Sequence, residues 1–370
     1  MTFEPLYPAY SFRDLHRSHG AALSEINRAC PMVADFTFYF DRGDDFFAWP
    51  DVCFDAGYRY IGMFCDEELV GYGMIGLHNG NLGAEIGPFL YLGDWRILPG
   101  HRGHSLGLQG AEALAAGLPE EVNLGYCLVK HGNAPVEWIL RTEEAEHWRV
   151  ERMCGFTAVN LLFLFKPAAP RHHEVRLATP ADAAAMADTM ARAWDGMLFA
   201  PPPPEVHEVE RDIEQLDRAG EGGYYLALRD GRLAGMLRVW DATAVKRTTI
   251  LAYSRRANVL RAAYAGARLL FAGHLPVLPA RGGSFRSLTL HRAAVPDRDP
   301  AVLRDLLFQV LRDYHGRGYH LAHLGFTEDD PLWPAVRWLP AQRFESEIHL
   351  ITRRGEELRD MEPWIDIARI

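Results

Sequence analysis

The chain has 370 residues, enough for two domains with separate cores. Its 48% hydrophobic and 24% charged content is that of an ordinary globular protein, and a net charge of −10 disfavours general nucleic-acid binding. The first residues lack the basic start and apolar run of a signal peptide, and the longest apolar run, Leu161 to Phe165, is too short to span a bilayer. Five cysteines without a C-x-x-C pair read as free thiols in a reducing, cytoplasmic setting.

Taken in chain order, Tyr10–Arg13 reads as a strand leading to a helix that ends near Cys30, before Pro31. Met63 to Gly71 reads strand, acidic turn, strand. Phe89–Leu92 is an apolar strand that runs through Gly93-Asp94-Trp95-Arg96 into Ile97-Leu98-Pro99-Gly100-His101-Arg102-Gly103-His104-Ser105-Leu106-Gly107 and then a helical stretch to Ala116. A small-residue loop opening a helix leaves several N–H groups without partners, and these, with the helix dipole, attract phosphate. Arg102 adds a fixed positive charge. No Gly-Lys-Ser/Thr ending and no Gly-x-Gly-x-x-Gly are present, which argues against a P-loop or a dinucleotide fold. Asn123–Val129 reads as the next strand, followed by Asn133 and a helical Val136–Arg141.

The second half repeats the opening. Glu174–Leu177 reads as a strand, Thr179-Pro180 starts a helix, and Ala227 to Gly235 matches Met63 to Gly71 with Asp, Leu and Gly in register. Ser287–Arg292 looks like the counterpart of the Phe89 strand. The loop after it, Val295-Pro296-Asp297-Arg298-Asp299-Pro300, has no glycine, two prolines and two aspartates, so the helix from Ala301 to Tyr314 gains a good cap and a poor anion site. Pro167 and Pro170 mark a linker, which divides the chain into 1–167 and 168–370, the second with an insertion at about 243–283. That insertion carries Lys246, Arg247, Arg255, Arg256, Arg261 and Arg268. It reads as a solvated face paired with the acidic remainder, the alternative being a patch for an anionic ligand.

The run aliphatic-x-Pro-x-x-Arg-Gly-x-x-x-Gly resembles motif A of the GNAT acyltransferase superfamily, with Ser105 where a glycine is usual. The order of elements over nearly the whole chain is similar to that of tandem bacterial members. The resemblance implies an α/β fold of two modules, each a mixed, mostly antiparallel sheet flanked by helices. The first binds acetyl-CoA or another acyl-CoA as co-substrate; the second has lost its phosphate loop. It implies that loop groups of Arg102, Gly103, His104, Ser105, Leu106 and Gly107 hold the pyrophosphate, that Ile97 and Leu98 line the pantetheine path, and that Asn133 contributes to the coenzyme site. The activity it implies is direct acyl transfer to a small-molecule or peptide amine, or coenzyme binding without turnover. Asp94 is the first candidate base and Glu85 the second. The usual acid tyrosine before Gly155-Phe156 is missing, and Tyr126 is a possible substitute. No cysteine stands near the loop in sequence. Histidine pairs such as His16 and His19, and the group His315, His320 and His323, lack metal-ligand spacing, so no metal is expected. No nucleic acid or membrane partner is expected.

Overall fold

The computed structural model describes residues 10–34, 36–83, 85–103, 105–134, 136–137, 148–219, 222–270, 275–353 and 361–370. The first half supplies β1 (Tyr10–Leu15), β2 (Met32–Val33), β3 (Phe36–Asp41), β4 (Tyr58–Cys65), β5 (Glu68–Asn81), β6 (Ile86–Ile97), β7 (Leu124–Lys130) and β8 (Trp148–Leu162). The second half supplies β9 (Glu174–Leu177), β10 (Gly222–Arg229), β11 (Arg232–Trp240), β12 (Arg247–Tyr253), β13 (Ser284–Phe285), β14 (Ser287–Ala294), β15 (Leu321–Thr327) and β16 (Ala341–Arg353).

Twelve strands form one sheet in the order β1-β4-β5-β6-β7-β16-β8-β15-β14-β11-β10-β9. The order reads alike from both ends once β9 is matched to β1, β10 to β4 and so on inward. At the centre each half hands its last long strand to the other: β16 pairs with β7, β8 pairs with β15, and the two run antiparallel from Ala341↔Leu161 to Arg353↔Trp148. All pairs are antiparallel except β6–β7 and β14–β15. The mixed sheet flanked by helices is the α/β architecture expected from the sequence. The matched hairpins share their turn chemistry. Asp66 and Asp230 both take positive φ, 54° and 52°, which a short polar side chain tolerates where a branched one would not.

A second sheet, β13-β12-β3-β2, joins the halves again. Its centre is β3 against β12, from Arg247↔Asp41 to Tyr253↔Phe36. The insertion is therefore structural at its start, and a helix, Arg255–Leu270, follows. One expectation for it fails. Arg247 meets Asp41 at 2.9 Å, but among the described residues no carboxylate lies within ion-pair distance of Arg255, Arg256, Arg261 or Arg268. These arginines are not neutralised by the acidic remainder.

Candidate functional site

The site begins with a kink in β6. Tyr72 faces Arg96 and Met74 faces Gly93, so Asp94 and Trp95 together oppose Gly73. This is a β-bulge, which takes one residue out of the ladder and bends the strand. Asp94 sits at φ 51°. The parallel pairing of β6 with β7 then stops at Leu92↔Cys127, although β6 runs on to Ile97 and β7 to Lys130. The strands part there and leave a gap. At the closed end Gly125 permits a tight approach: a Cβ on it would lie 2.4 Å from the Leu90 carbonyl oxygen.

Trp95 sets the helix that follows. A Cβ at Gly73 would meet its ring at 2.2 Å and one at Gly110 at 2.9 Å, so glycines on both sides clamp the indole. Gly110 belongs to the helix Leu106–Ala115, which is thereby seated on the bulge, with Leu106 buried at its start. Between them, Leu98 N–H bonds to the Val70 carbonyl (2.9 Å), and a short turn, Pro99–His101, reverses the chain. Gly103 (φ 87°) and Ser105 (φ 54°) are both left-handed. A Cβ at Gly103 would touch nothing within 4 Å, so this side of the loop is open. Ser105 makes no side-chain cap, and Gln109 N–H returns to the Ser105 carbonyl (3.1 Å). Among the described residues, the N–H groups of Gly103, Ser105, Leu106 and Gly107 find no protein acceptor. Arg102 is exposed, its Nε donating to the Ile97 carbonyl (3.0 Å). His104 lies outside the described residues.

Beneath the bulge lies a buried polar cluster. Asp94, 7% exposed, accepts from Arg42 Nη2 at 3.3 Å and from the Tyr60 hydroxyl at 3.2 Å, and Arg96 Nη2 is 3.8 Å away. Burial alone would raise the Asp94 carboxyl; Arg42, then Arg96, Lys246 and Tyr60, outweigh it and hold it below the usual range. Arg42 stacks on Trp49, 3.9 Å from the ring centroid, and Lys246 Nζ lies 4.6 Å from the same ring. Lys246 donates to the Ile370 carbonyl, and burial, aided by Arg42, pulls its ammonium down to about 7. Arg42 Nε and Nη1, Arg96 Nε, Trp49 Nε1 and the Tyr72 hydroxyl are buried without partners. The cluster thus joins an ionised carboxylate to an amine near neutrality. It draws on β3, β4, β5, β6 and, through Lys246, on the second half.

The other sequence candidates fall in different places. Glu85 is exposed in the β5–β6 turn, where Leu82 N–H bonds to its carbonyl. Asp94 lies nine positions further along the strand, roughly 30 Å, so the two acids do not share a site. Tyr126 is buried on β7, its ring 5.4 Å from Tyr91 and 5.1 Å from Phe199, and burial lifts its hydroxyl far above the ordinary range. Asn133 follows β7 at the surface, and its carbonyl accepts from Val136 and Glu137. Ile97 and Leu98, at and just beyond the end of β6, are half-buried and pack against Met63, Val70 and Leu106. The fold also brings in what sequence proximity missed: the Cys30 thiol donates to the Ile97 carbonyl at 3.3 Å. Cys30 is buried, and burial pushes the Cys53 and Cys127 thiols up to about 12, so these two are no thiolate nucleophiles. Arg42, Trp49 and Tyr60 carry no signal in the sequence, and Lys246 reads there only as one of the basic residues of the insertion, because nothing local ties residues 42, 94 and 246 together. Among the described residues no group of three His, Cys, Asp or Glu is placed to hold a metal ion, and no helix is long and apolar enough to cross a membrane.

No family model and no curated protein matches the chain by sequence. Solved structures do match by shape. The N-myristoyltransferase of Saccharomyces cerevisiae with bound myristoyl-CoA aligns over 98% of this chain and 90% of its own, at 10% identity and a TM-score of 0.60. A tandem GNAT protein from the clavulanic acid biosynthesis pathway aligns over 94% and 100%, at 12% identity and a TM-score of 0.57. A GCN5-related N-acetyltransferase from Sphaerobacter thermophilus aligns over 98% and 98%, at 12% identity and a TM-score of 0.52. At such identities the likeness is one of fold, and the fold of this chain is that of the tandem GNAT proteins.

Proposed function

We propose that the chain is an N-acyltransferase that moves an acetyl or longer acyl group from an acyl-coenzyme A to an amine. The observation that carries this reading is the row of unpaired loop amides at Gly103, Ser105, Leu106 and Gly107, set at the mouth of the gap between β6 and β7. A diphosphate supplies the acceptors those donors lack, and Arg102 adds charge. His104, on the same loop, is assigned with them. The pantetheine then follows Ile97 and Leu98 into the gap and brings its thioester to the bulge. Residues 1–167 form the coenzyme-binding module in this reading. Residues 168–370 form a second module that supports it and, through Lys246, walls the acceptor side. Five free cysteines suit a reducing, cytoplasmic setting.

The chemistry needs an unprotonated amine, a stabilised oxyanion and a departing thiolate. The amine attacks the thioester carbon directly; the C–N bond forms, the C–S bond breaks, and the coenzyme leaves as thiolate. The proton shed by the amine passes to water ordered by Asp94, which its neighbours keep ionised, or to Lys246, which shares the Trp49 ring with Arg42. Bulge backbone groups released from the ladder meet the developing oxyanion. Cys53 and Cys127 are too basic to carry the acyl group, and the buried Cys30 thiol is engaged as a donor to the Ile97 carbonyl, so a ternary complex is proposed rather than a covalent intermediate.

A second reading is coenzyme binding without turnover. It is favoured by the packing of Tyr126, which leaves no evident acid for the thiolate, and by the ion pairs that pin Asp94. Titration calorimetry with acetyl-CoA, followed by thiol release against an amine panel, separates the two. Binding with turnover supports the transferase; binding without turnover on any amine supports the sensor; absence of binding sinks both.

A further inference from the structure

From Ala242 to Pro296 the chain contains no Asp or Glu and nine Lys or Arg, although the whole chain carries a net −10. The helix Arg255–Leu270 stands in the middle of this stretch. Its inner row is held by few contacts: Arg261 lies over the Tyr253 ring at 5.1 Å, the Tyr264 hydroxyl donates to the Pro276 carbonyl at 3.1 Å, and Arg268 Nε donates to the Leu275 carbonyl at 2.9 Å. No residue of this helix whose side chain is described is fully buried. The outer row is Arg255, Val259, Ala262, Ala263, Gly266 and Leu269, spaced three and four apart and all exposed. Val259 is 69% exposed, Leu260 62% and Leu269 84%, and Val277 nearby is 62% exposed. A surface helix ordinarily turns its apolar side inward. This one shows apolar and cationic groups outward, with no anion to balance them.

We infer that this helix is a docking surface for an acidic, amphipathic helix of a protein or peptide acceptor. Charge decides the sign of the partner: Arg255 and Arg256 project at the start of the row with no carboxylate near them among the described residues, and acids on the partner would neutralise both. Shape decides its form. Ala262, Ala263 and Gly266 at the middle of the row let another helix approach closely, while Val259 and Leu269 on the same face supply apolar anchors. A lipid surface suits it less. An interfacial helix buries a continuous bulky stripe, and the acidic remainder of this chain would face an anionic bilayer with repulsion. Position ties the surface to the site. The helix follows directly on β12, whose other end adjoins Lys246; seven strand residues place it roughly 23 Å from the Asp94 cluster. A partner seated there would present a flexible amine-bearing end to the gap. The inference rests on the acyltransferase reading for the role of the partner, and on the surface alone for its binding.

The test uses the full chain and a fluorescein-labelled amphipathic Leu/Glu helical peptide with a free amine at the end of a flexible tail. Anisotropy, with no acyl donor present, should show binding that weakens as salt rises. The R255E/R256E variant should lose at least tenfold in affinity; both positions are exposed, so folding is not at stake. V259S/L269S should weaken binding independently of salt. With acetyl-CoA, the acidic peptide should have a lower KM than a neutral peptide of equal length. R255E/R256E should remove that difference and leave rates on a small amine unchanged. Equal binding by wild type and R255E/R256E overturns the inference. So does equal or tighter binding to phosphatidylglycerol vesicles or to heparin, which would mark a lipid surface or a general polyanion patch. Peptide binding without any acyl transfer sinks the acyltransferase reading and leaves the surface standing; turnover on small amines without peptide binding does the reverse.

Discussion

Asp94 in the first half and Arg292 in the second stand at the same bulge. Their φ angles are 51° and 48°, each interrupts the register with the preceding strand, and each is followed by a parallel neighbour that pairs over three residues and then departs. The halves diverge in the loop that comes next. After β6 the chain spends two left-handed residues, Gly103 and Ser105, to keep amides open. After β14 the side chain of Asp299 accepts from Ala301 N–H at 2.8 Å and is itself held by Arg229 at 2.9 Å, so the helix Pro300–Tyr314 is closed by its own carboxylate. The second cleft is also occupied. Trp364 and Asp366 reach into it from the last described segment, Asp366 bonds His291 at 3.2 Å, and a cavity of about 90 Å³ remains among Trp194, Phe326 and Trp364. The backbone device is thus shared, and what separates the two halves is whether the helix start is left open or satisfied internally.

The sharpest way to break this contrast is to give the first loop the second loop's chemistry. Ser105→Asp sets a carboxylate charge beside the open amides, though from a left-handed φ of 54° rather than the extended φ of −77° from which Asp299 caps its helix. Acetyl-CoA affinity measured by calorimetry should fall by 100-fold or more, on the order of 3 kcal/mol, while the melting temperature holds or rises slightly. Arg102→Glu should act in the same direction. Undiminished coenzyme binding in both variants would mean that the diphosphate lies elsewhere.

Asp94 offers the next largest effect. Arg42 is 3% exposed and Asp94 7%, so removing the carboxylate strands a buried guanidinium. Asp94→Asn should cost about 3–5 kcal/mol in urea unfolding. The double variant Asp94→Asn/Arg42→Met should recover part of that loss. If the single variant is as stable as wild type, the cluster is more hydrated than its burial implies, and the argument for an ionised Asp94 weakens.

These two sites differ in how far the sequence revealed them. The turn and the helix start at the loop are legible because their physics is local: Arg102, Gly103 and Ser105 are neighbours, and small residues before a helix leave its first amides open. The repeat and the α/β class were legible for a similar reason, since the hairpins at Asp66 and Asp230 carry the same turn residues. The exchange of β8 and β16 was not, because either strand would satisfy its own half equally well in sequence. The Asp94 cluster was legible only at Asp94. Arg42 and Lys246 are brought to it by β3 pairing with β12 across 206 positions of chain, as the Arg247–Asp41 contact records. Glu85 was drawn in by its place near β6, but a strand puts its two ends far apart.

Both halves bury a histidine that the fold keeps neutral, which gives the comparison an acid limb. Burial holds His78 on β5 and His323 on β15 at about 4, against 6.5 for a free imidazole. The folded state then binds fewer protons than the unfolded chain between those values. Stability from each should be whole above pH 6.5, fall as the pH drops toward 4, and be lost below it, roughly 3 kcal/mol per site. Urea midpoints at pH 7, 5.5 and 4.5 should decline, and His78→Gln, which cannot titrate, should flatten the decline in part, since burial also holds down His323, His291 and His349. A slope unchanged by that substitution would place the acid sensitivity elsewhere.

The smallest expected effect tests the second half on its own terms. Asp299→Ala removes the cap on Ala301 and the partner of Arg229, and should lower stability by about 1 kcal/mol. It should not create a coenzyme site, because Pro296 and Pro300 offer no N–H and the loop has no left-handed glycine to aim the remaining amides. Calorimetry on Ser105→Asp/Asp299→Ala makes this decisive: with the first loop blocked and the second uncapped, acetyl-CoA should not bind. Binding by that double variant would show that an open helix start suffices, and that the glycine-set geometry of the first loop is dispensable.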